Sequence, residues 1–202
     1  MSALPDAGLD HPPENPFELF DRWCEDARAH EKHELTAMTL ATADVTGRPA
    51  ARIVLLKHYD LDGLVFYTNL GSRKSADLAA NPQAALLFWL PVLERQIRIE
   101  GRVARVADDE ADAYFAGRPR ASQLGAWASL QSTPLESRAM MEERLAGFTA
   151  QFAGGPVPRP AYWGGWRLAP DRFEFWHERE ARLHDRIIYS YDNGWKHARQ
   201  YP

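Results

Sequence analysis

Four basic side chains have the types and spacing of an anion-binding site. Arg52 and Lys57 flank a short apolar run, and Arg73 and Lys74 directly follow Ser72. We predict that a helix begins after Ser72, which would be its N-cap. Cations in the first turn of a helix are unfavourable, because they lie next to the positive end of the helix dipole. An anion bound to the free backbone N–H groups of that turn would offset this cost. The pattern indicates either a phosphate site or solvated surface charges.

A second group consists of Tyr114, Arg118 and Ser122, spaced four residues apart. They would share one side of a continuous helix, but Pro119 is expected to break that helix. A guanidinium fork with neutral hydroxyl donors is suited to a phosphate monoester. The alternative is an ordinary helix C-terminus with Arg118 near the negative end of the dipole.

A third group places Arg182, His184, Asp185 and Arg186 close together in the sequence, with Trp176 shortly before them. These residues could line a ligand or form a solvated loop. The chain also contains seven Trp, seven Tyr and nine Phe residues. Together with the two phosphate-suited groups, these aromatics indicate one or two flat phosphorylated ligands.

Composition limits the classes of function. The chain has 202 residues and a net charge of -4, which argues against general nucleic-acid or membrane binding. No apolar run is long enough to span a membrane and no signal peptide opens the chain, so we expect a cytoplasmic protein. The single Cys24 excludes an internal disulfide and a cysteine zinc site. P-loop, Rossmann, HExxH and GxSxG motifs are absent, and we expect no metal.

We expect one domain over residues 15–202, preceded by a mobile arm over residues 1–14. Alternating or apolar runs predict strands at 36–42, 53–56, 64–69, 84–89, 93–106, 166–168, 173–176, 186–191 and 195–199. The run at 53–56 is expected to be buried. Short turns join most of these strands, which favours a mainly β fold with helices (α+β), built on an antiparallel sheet or barrel.

Capping signals predict the helices that accompany this sheet. Asn15 is expected to cap a first helix with Pro16 at its first position, and further helices are expected at 73–80 and 108–117. A capping box at 133–136 is expected to open a last helix. That helix is expected to direct apolar side chains toward the core, namely Leu135, Met141, Leu145, Phe148 and Phe152.

Six sequence blocks occur in order over residues 16–202: RIVLLKHYD, VFYTNLGSRK, LERQIRIEGRVAR, YFAGRPRASQLGAWAS, YWGGWRL, and EFW followed by RLHDR. In these blocks the chain resembles the pyridoxine (pyridoxamine) 5′-phosphate oxidase family. The resemblance implies an FMN-binding split β-barrel that forms a homodimer with two sites at the subunit interface. It also implies oxidation of pyridoxine or pyridoxamine 5′-phosphate to pyridoxal 5′-phosphate, with hydride transfer from C4′ to flavin N5 and reoxidation by O2 to give hydrogen peroxide.

The resemblance also implies roles for individual residues. FMN contacts are implied for Arg52, Ile53, Val54, Leu55, Leu56, Lys57, Tyr67, Thr68, Arg73, Lys74, Gln96, Gln131, Ser132, Trp176 and Arg186, with Arg52, Arg73 and Lys74 at the phosphate. Substrate contacts are implied for Lys57, Tyr114, Arg118, Ser122, Arg182 and His184. Arg182 and His184 would be the catalytic pair: Arg182 would cap the pyridine ring, and His184 would orient the substrate or transfer a proton.

Two departures from the family pattern concern the N-terminal arm and the segment before Arg182. Many family members have a longer basic arm that closes over the substrate, whereas Asp6, Asp10 and Glu14 make this arm acidic. The segment before Arg182 is more charged than the usual glycine-containing form. Two alternative functions stay open: a related flavin oxidase acting on another aromatic substrate, as in phenazine biosynthesis, or a non-catalytic flavin- or haem-binding split barrel. The substrate-phosphate set favours a phosphorylated pyridine.

Overall fold

The computed structural model describes residues 5–202. Within them there are nine strands and five α-helices, and no helix is both long enough and apolar enough to cross a membrane. In chain order the elements are α1 (Pro16–His30), β1 (Ala37–Ala43), β2 (Pro49–Leu55), β3 (His58–Asp60), β4 (Gly63–Asn69), α2 (Arg73–Ala80), β5 (Gln83–Leu90), β6 (Arg95–Arg105), α3 (Asp108–Ala116), α4 (Arg120–Ala128), α5 (Arg138–Gln151), β7 (Trp163–His177), a 3₁₀ turn (Glu180–Arg182), β8 (Asp185–Tyr191) and β9 (Trp195–Arg199).

The strands form one sheet in the order β2-β1-β5-β6-β7-β4-β3, and every pairing is antiparallel. Strand β7 organises the sheet. It pairs with β6 along most of its length, with β4 through its first part, and with β8 through its last part. The sheet curls into a split barrel, which confirms the predicted antiparallel fold.

A β-bulge allows β7 to continue through Pro170. The register with β6 shifts between Glu100 and Gly101. A Cβ atom on Gly101 would lie 2.1 Å from the Ala169 carbonyl oxygen, so only glycine fits this close approach. The prediction of two short strands at 166–168 and 173–176 was therefore wrong, because the bulge accommodates the proline within one strand.

Helix α1 covers one face of the sheet and forms as predicted. Asn15 Oδ1 accepts a hydrogen bond from the Phe17 backbone N–H at 3.0 Å, which caps the helix. The face formed by Phe17, Phe20, Trp23 and Ala27 is buried. Ring centroids of Trp23 and Phe175 lie 5.2 Å apart in edge-to-face geometry. The main core therefore lies between α1 and the inner face of the sheet.

The segment before α1 packs against this core. Ala7 and Leu9 are each 2% exposed. Trp23 Nε1 donates to the Ala7 carbonyl at 2.8 Å, and Arg95 Nη2 donates to the Pro5 carbonyl at 2.7 Å. Part of the predicted arm is therefore packed against the domain: Ala7 and Leu9 are buried beside α1, and the carbonyls of Pro5 and Ala7 accept side-chain hydrogen bonds. Residues 1–4 of the predicted arm lie outside the described residues.

Strand β2 is an edge strand, not the buried strand that its apolar run predicted. Ile53 is 63% exposed and Leu55 is 38% exposed. Their face of the sheet is uncovered in a single chain, whereas the opposite face of β2 meets the domain. Apolarity alone does not distinguish a strand covered by its own chain from one that presents an uncovered face.

Helix α5 begins later than predicted and has no buried residue. Ser137 is its N-cap and accepts from the Met140 N–H at 3.1 Å. The predicted capping box fails because Thr133 Oγ1 donates to the Leu130 carbonyl at 2.7 Å and closes a turn instead. The predicted core face is confirmed only in part: Leu135 and Leu145 are 47% and 39% exposed, whereas Phe148 and Phe152 are partly buried and pack against a smaller core cluster that contains Trp163.

Candidate active site

One cavity of about 650 Å³ gathers most of the predicted phosphate-binding residues. That volume lies within the range of cofactor sites, roughly 300–1,000 Å³. Strands β2, β4 and β7, helices α2 and α3, and the chain between α3 and the start of α5 contribute to it. Its lining includes Ile53, Val54, Leu55, Lys57, Tyr67, Thr68, Lys74, Tyr114, Arg118, Ser122, Gln131 and Trp163.

Lys74 is a buried cation with only neutral partners. Its side chain is 9% exposed, and Nζ donates to Thr68 Oγ1 at 3.0 Å, Ser72 Oγ at 3.1 Å and Gln131 Oε1 at 2.9 Å. Burial lowers the pKa of Lys74 from 10.5 to about 8, and repulsion from Arg52 adds to the decrease. Within residues 5–202, no carboxylate forms an ion pair with this ammonium. An anionic ligand would relieve this energetic cost.

Arg52 is fixed beside the N-terminus of α2. Its Nη1 donates to Thr42 Oγ1 at 2.8 Å and to the Leu40 carbonyl at 3.1 Å, and Nη2 lies 3.7 Å from Asp77 Oδ2. Burial lowers the pKa of Arg52; Asp77 opposes this decrease, and the charge of Arg73 adds to it. This proximity shows that Arg52 and the first turn of α2 form one positive cluster.

Helix α2 spans the predicted residues 73–80, and its first turn contains no acidic residue. Ser72 occupies the predicted N-cap position without a side-chain capping bond. Its hydroxyl instead donates to the Asn69 carbonyl at 2.7 Å and accepts from Lys74. The N–H groups of a first turn have no partner within their own helix. A ligand phosphate could therefore accept from them while it neutralises the surrounding cations.

Three stacked rings and one guanidinium form the aromatic wall of the cavity. The Tyr67 ring lies 4.0 Å from that of Tyr114 and 5.3 Å from that of Trp163, and the planes are within 3° of parallel. Arg118 Cζ lies 4.6 Å from the Trp163 centroid. Gly165 makes room for the stack, since a Cβ there would approach Tyr67 Cε1 to 2.8 Å.

Arg118 has an unused donor in this wall. Its Nη1 is buried and has no hydrogen-bond partner within residues 5–202. Burial lowers the pKa of the guanidinium, and the neighbouring Tyr114 opposes that decrease. A buried donor without a partner is costly, so this atom is suited to an incoming anion.

Pro119 breaks the helix between the residues of the second group, as its sequence position predicted. Helix α3 ends at Ala116, and α4 begins at Arg120 with Pro119 as its N-cap. The tight connection nevertheless keeps Tyr114, Arg118 and Ser122 on the wall of the same cavity. The apolar piece after Ser122 is helical and forms most of α4.

The sheet register places three of the implied flavin residues in one row. Gln96 on β6 lies opposite Trp176 on β7, and Trp176 lies opposite Arg186 on β8. The His184 ring lies 4.5 Å from that of Trp176, and its Nδ1 accepts from the Arg179 backbone N–H at 3.2 Å. This row is therefore a second cluster of polar and aromatic groups.

A single chain does not join this row to the cavity. Neither the row nor Arg182 and His184 contributes to the cavity lining. Strand β8 is five strands from β2 in the order of the sheet. Arg182 is exposed, with φ of 63° in the left-handed region. Within a single chain the cavity and the row are therefore separate clusters.

The uncovered sheet face links the cavity and the row. Cross-strand pairing places Ile53, Thr39, Leu87 and Arg98 on this face, in register with one another. Trp89, opposite Gln96, is 46% exposed on the same face. Large exposed apolar patches mark interaction surfaces in soluble proteins. The face therefore has the composition of a subunit interface.

Several residues are placed differently from the expected contacts. Leu56 is 8% exposed and belongs to the core. Neither Leu56 nor Ser132 lines the cavity, and of the cations at the start of α2 only Lys74 does, whereas Arg52 and Arg73 lie outside the lining. Conversely, Trp163 was missed as a lining residue and Trp89 was missed beside the row. The motif YWGGW contained a signal for Trp163, because adjacent glycines leave space for a neighbouring ring.

Comparisons with known sequences bear on these arrangements. A family model described as pyridoxamine 5′-phosphate oxidase matches residues 25–151. The chain belongs to the pyridoxamine 5′-phosphate oxidase family. A second model, described as the C-terminal dimerisation region of pyridoxine 5′-phosphate oxidase, matches residues 163–202 and so includes β7, β8 and β9. The predicted family resemblance is confirmed, and membership identifies the chain as an oxidoreductase.

Curated relatives named pyridoxine/pyridoxamine 5′-phosphate oxidase cover nearly the whole chain. The protein from Rubrobacter xylanophilus is 54% identical over 189 residues, which span 93% of this chain and 87% of the relative. The protein from Rhodospirillum rubrum is 50% identical over 208 aligned positions, which span all of both chains.

Solved structures confirm the split-barrel fold of the family. PhzG from Burkholderia lata 383, in complex with tetrahydrophenazine-1-carboxylic acid, superposes with a TM-score of 0.91 at 33% identity and covers 96% of both chains. A pyridoxamine 5′-phosphate oxidase-related, FMN binding protein from Nostoc punctiforme gives a TM-score of 0.74 at 16% identity, covering 95% of this chain and 100% of that one.

Proposed function

We propose that this protein binds FMN and oxidises pyridoxamine 5′-phosphate or pyridoxine 5′-phosphate to pyridoxal 5′-phosphate. The observation that carries the proposal is the cavity that joins two separate anion-suited groups. One is represented in the cavity lining by Lys74, which lies close to Arg52 at the start of α2, and the other is Arg118 with its unused buried donor. A flavin phosphate and a substrate phosphate require two such groups within one site.

The residues present fit FMN. The buried Lys74 ammonium and the free N–H groups of α2 are suited to a phosphate monoester, and the cavity volume accommodates a cofactor. Arg52 and Arg73 would hold the phosphate with Lys74, while Tyr67, Thr68 and Gln131 would lie along the remainder of the molecule. When bound, FMN supplies a two-electron acceptor for the hydride from the substrate C4′, with O2 as the final acceptor and hydrogen peroxide as a product.

The substrate phosphate would bind at Lys57, Tyr114, Arg118 and Ser122. Arg118 supplies a charged fork that stacking on Trp163 holds in place, and the two hydroxyl groups supply neutral donors. Anchoring one end of a small rigid substrate fixes the position of its reacting carbon. Catalysis in this site is therefore mainly a matter of positioning.

We propose a homodimer in which the partner subunit completes each cavity. The uncovered face contains both Ile53 and Leu55 at the cavity and the row of Gln96, Trp176 and Arg186. In a two-fold dimer the same face meets its own copy, so the row of one subunit can reach the cavity of the other. The match of residues 163–202 to a dimerisation region supports this arrangement.

In this dimer, Arg182 and His184 would be contributed by the same subunit as the row, and they would contact the substrate ring in the cavity of the other subunit. His184 Nδ1 accepts from a backbone N–H, so the neutral ring has its proton on Nε2. That N–H can donate to a substrate oxygen or nitrogen, which favours orientation of the substrate over proton abstraction. Arg182 would place its planar guanidinium on the pyridine face.

A second candidate function is oxidation of a phenazine-type aromatic acid, because PhzG is 33% identical and has nearly the same fold. An anaerobic titration distinguishes the two. The purified flavoprotein is mixed with pyridoxamine 5′-phosphate without O2, and its visible spectrum is followed. Bleaching of the flavin with formation of pyridoxal 5′-phosphate is expected. A flavin that stays oxidised with this substrate but is bleached by a reduced phenazine carboxylate would replace the proposal by the second candidate.

A further inference from the structure

Glu174 is a buried carboxylate on β7 that lies between two arginines. It is 2% exposed. Its Oε1 accepts from Arg186 Nε at 2.8 Å and lies 2.8 Å from Arg186 Nη2, while Oε2 accepts from Arg98. Charge-assisted contacts of this kind restrict a guanidinium more than neutral hydrogen bonds do.

These contacts determine which part of Arg186 can reach a ligand. A guanidinium has five N–H groups. Glu174 faces the edge formed by Nε and Nη2, and Nη1 donates to the Tyr201 carbonyl at 2.9 Å. One N–H on each Nη atom stays available. The plane of the guanidinium is therefore held from one side by Glu174 and from the other by the C-terminal backbone.

The negative charge of Glu174 also helps to hold Arg186 in place. Arg186 lies in the row with Trp176, and Arg98 lies opposite Glu174 itself. Without the carboxylate, the two cations would repel each other and would lose a shared acceptor. Arg186 would then be free to turn toward solvent, because 22% of its side chain is already exposed.

We propose that Glu174 is a positioning residue that orients Arg186 toward the flavin held in the partner subunit's cavity. This inference rests on the proposed function, in which Arg186 contacts FMN. Glu174 does not touch the ligand, and its effect on FMN affinity passes through Arg186.

The experiment measures the dissociation constant of FMN by quenching of flavin fluorescence, using dimer that has been stripped of FMN. The variants are Glu174→Gln, Arg186→Gln and the double substitution. Glu174→Gln preserves shape and is expected to weaken FMN binding on the order of tenfold, as loss of an orienting partner does elsewhere. Glu100→Gln is the matched control: it removes a carboxylate that contacts Arg98 and Arg172 but not Arg186, so affinity should stay within about twofold.

The double variant distinguishes positioning from a general structural role. If Glu174 acts through Arg186, the double variant binds FMN about as weakly as Arg186→Gln alone, and the two effects are not additive. Additive effects, or an unchanged affinity in Glu174→Gln while Arg186→Gln is weakened, would overturn the positioning role and leave the proposed function intact. The double variant removes Arg186 together with the Glu174 charge and leaves Arg98 paired with Glu100, so it provides a folded reference if Glu174→Gln proves unstable. A wild-type dimer that does not rebind FMN would overturn the proposed function itself.

Discussion

Raising the pH should weaken FMN binding through Lys74. The pKa of this side chain is about 8 in the ligand-free chain, because the ammonium is buried and close to Arg52. A bound phosphate would raise that pKa. Above pH 8 the free protein must therefore take up a proton when FMN binds, whereas at pH 7 most Lys74 side chains are already charged.

The size of the effect follows from the protonated fraction of Lys74. With a pKa of about 8, the charged fraction is about nine-tenths at pH 7 and about one-tenth at pH 9. The dissociation constant of FMN should therefore rise about tenfold over this range, or about 1.4 kcal/mol. The FMN phosphate does not contribute, because its second pKa is about 6 and it stays a dianion.

The assay is a fluorescence titration of FMN-free protein at pH 7, 8 and 9 at constant ionic strength, since salt screens the phosphate contacts. Lys74→Arg is the control, because its guanidinium stays charged throughout and should remove the pH dependence. Lys74→Met should bind weakly at every pH. A wild-type affinity that is the same at pH 7 and 9, or a slope that Lys74→Arg retains, would refute the role assigned to Lys74.

The stability of the FMN-free protein should change in the opposite direction. The folded-state pKa of Lys74 lies below the unfolded value of 10.5, so the unfolded chain binds more protons above pH 8. The Lys74 contribution to the free energy of unfolding therefore rises with pH between 8 and 9. Between pH 8 and 9 we therefore expect FMN binding to weaken while denaturant titrations show no loss of stability. This combination distinguishes deprotonation of Lys74 from general alkaline unfolding.

Further substitutions and one labelling experiment check the remaining assignments. Arg118→Ala should raise the KM for the phosphorylated substrate at least tenfold while FMN is retained, because a buried charged donor is lost; normal steady-state kinetics would contradict this. Arg73→Ala should weaken FMN binding several-fold, which the same fluorescence titration measures, and unchanged affinity would remove Arg73 from the phosphate site. Ala181→Gly should stabilise the protein by roughly 0.5–1 kcal/mol, because Ala181 has φ of 55° in the left-handed region; a thermal melt should shift upward by roughly 1–4 °C, and a decrease would contradict the strain. Burial raises the pKa of the half-buried Cys24 thiol to about 12, so a thiol reagent at pH 8 should label the native protein far more slowly than the unfolded chain; equal labelling rates would contradict the protonated state.

The sequence alone determined the features that depend on neighbouring residues. The cap at Asn15, the alternation along β6 and the helix at 73–80 follow from local hydrogen bonding and from the two periodicities of side-chain direction. The prediction of anion binding at Arg73 and Lys74 was local too, because the missing acid in a first turn can be recognised without knowledge of the fold. The resemblance to a family then supplied expected site residues that no local pattern identifies.

Only the tertiary structure decided which of these residues meet. The row of Gln96, Trp176 and Arg186 depends on the register of three strands, and register is set by packing between segments distant in sequence. Burial was also decided there: apolar segments became core in α1 but exposed surface on one face of β2, according to whether another element of the chain covered them. A sequence specifies the face that each segment can bury, but the partner that covers that face is chosen by the three-dimensional arrangement of the whole chain.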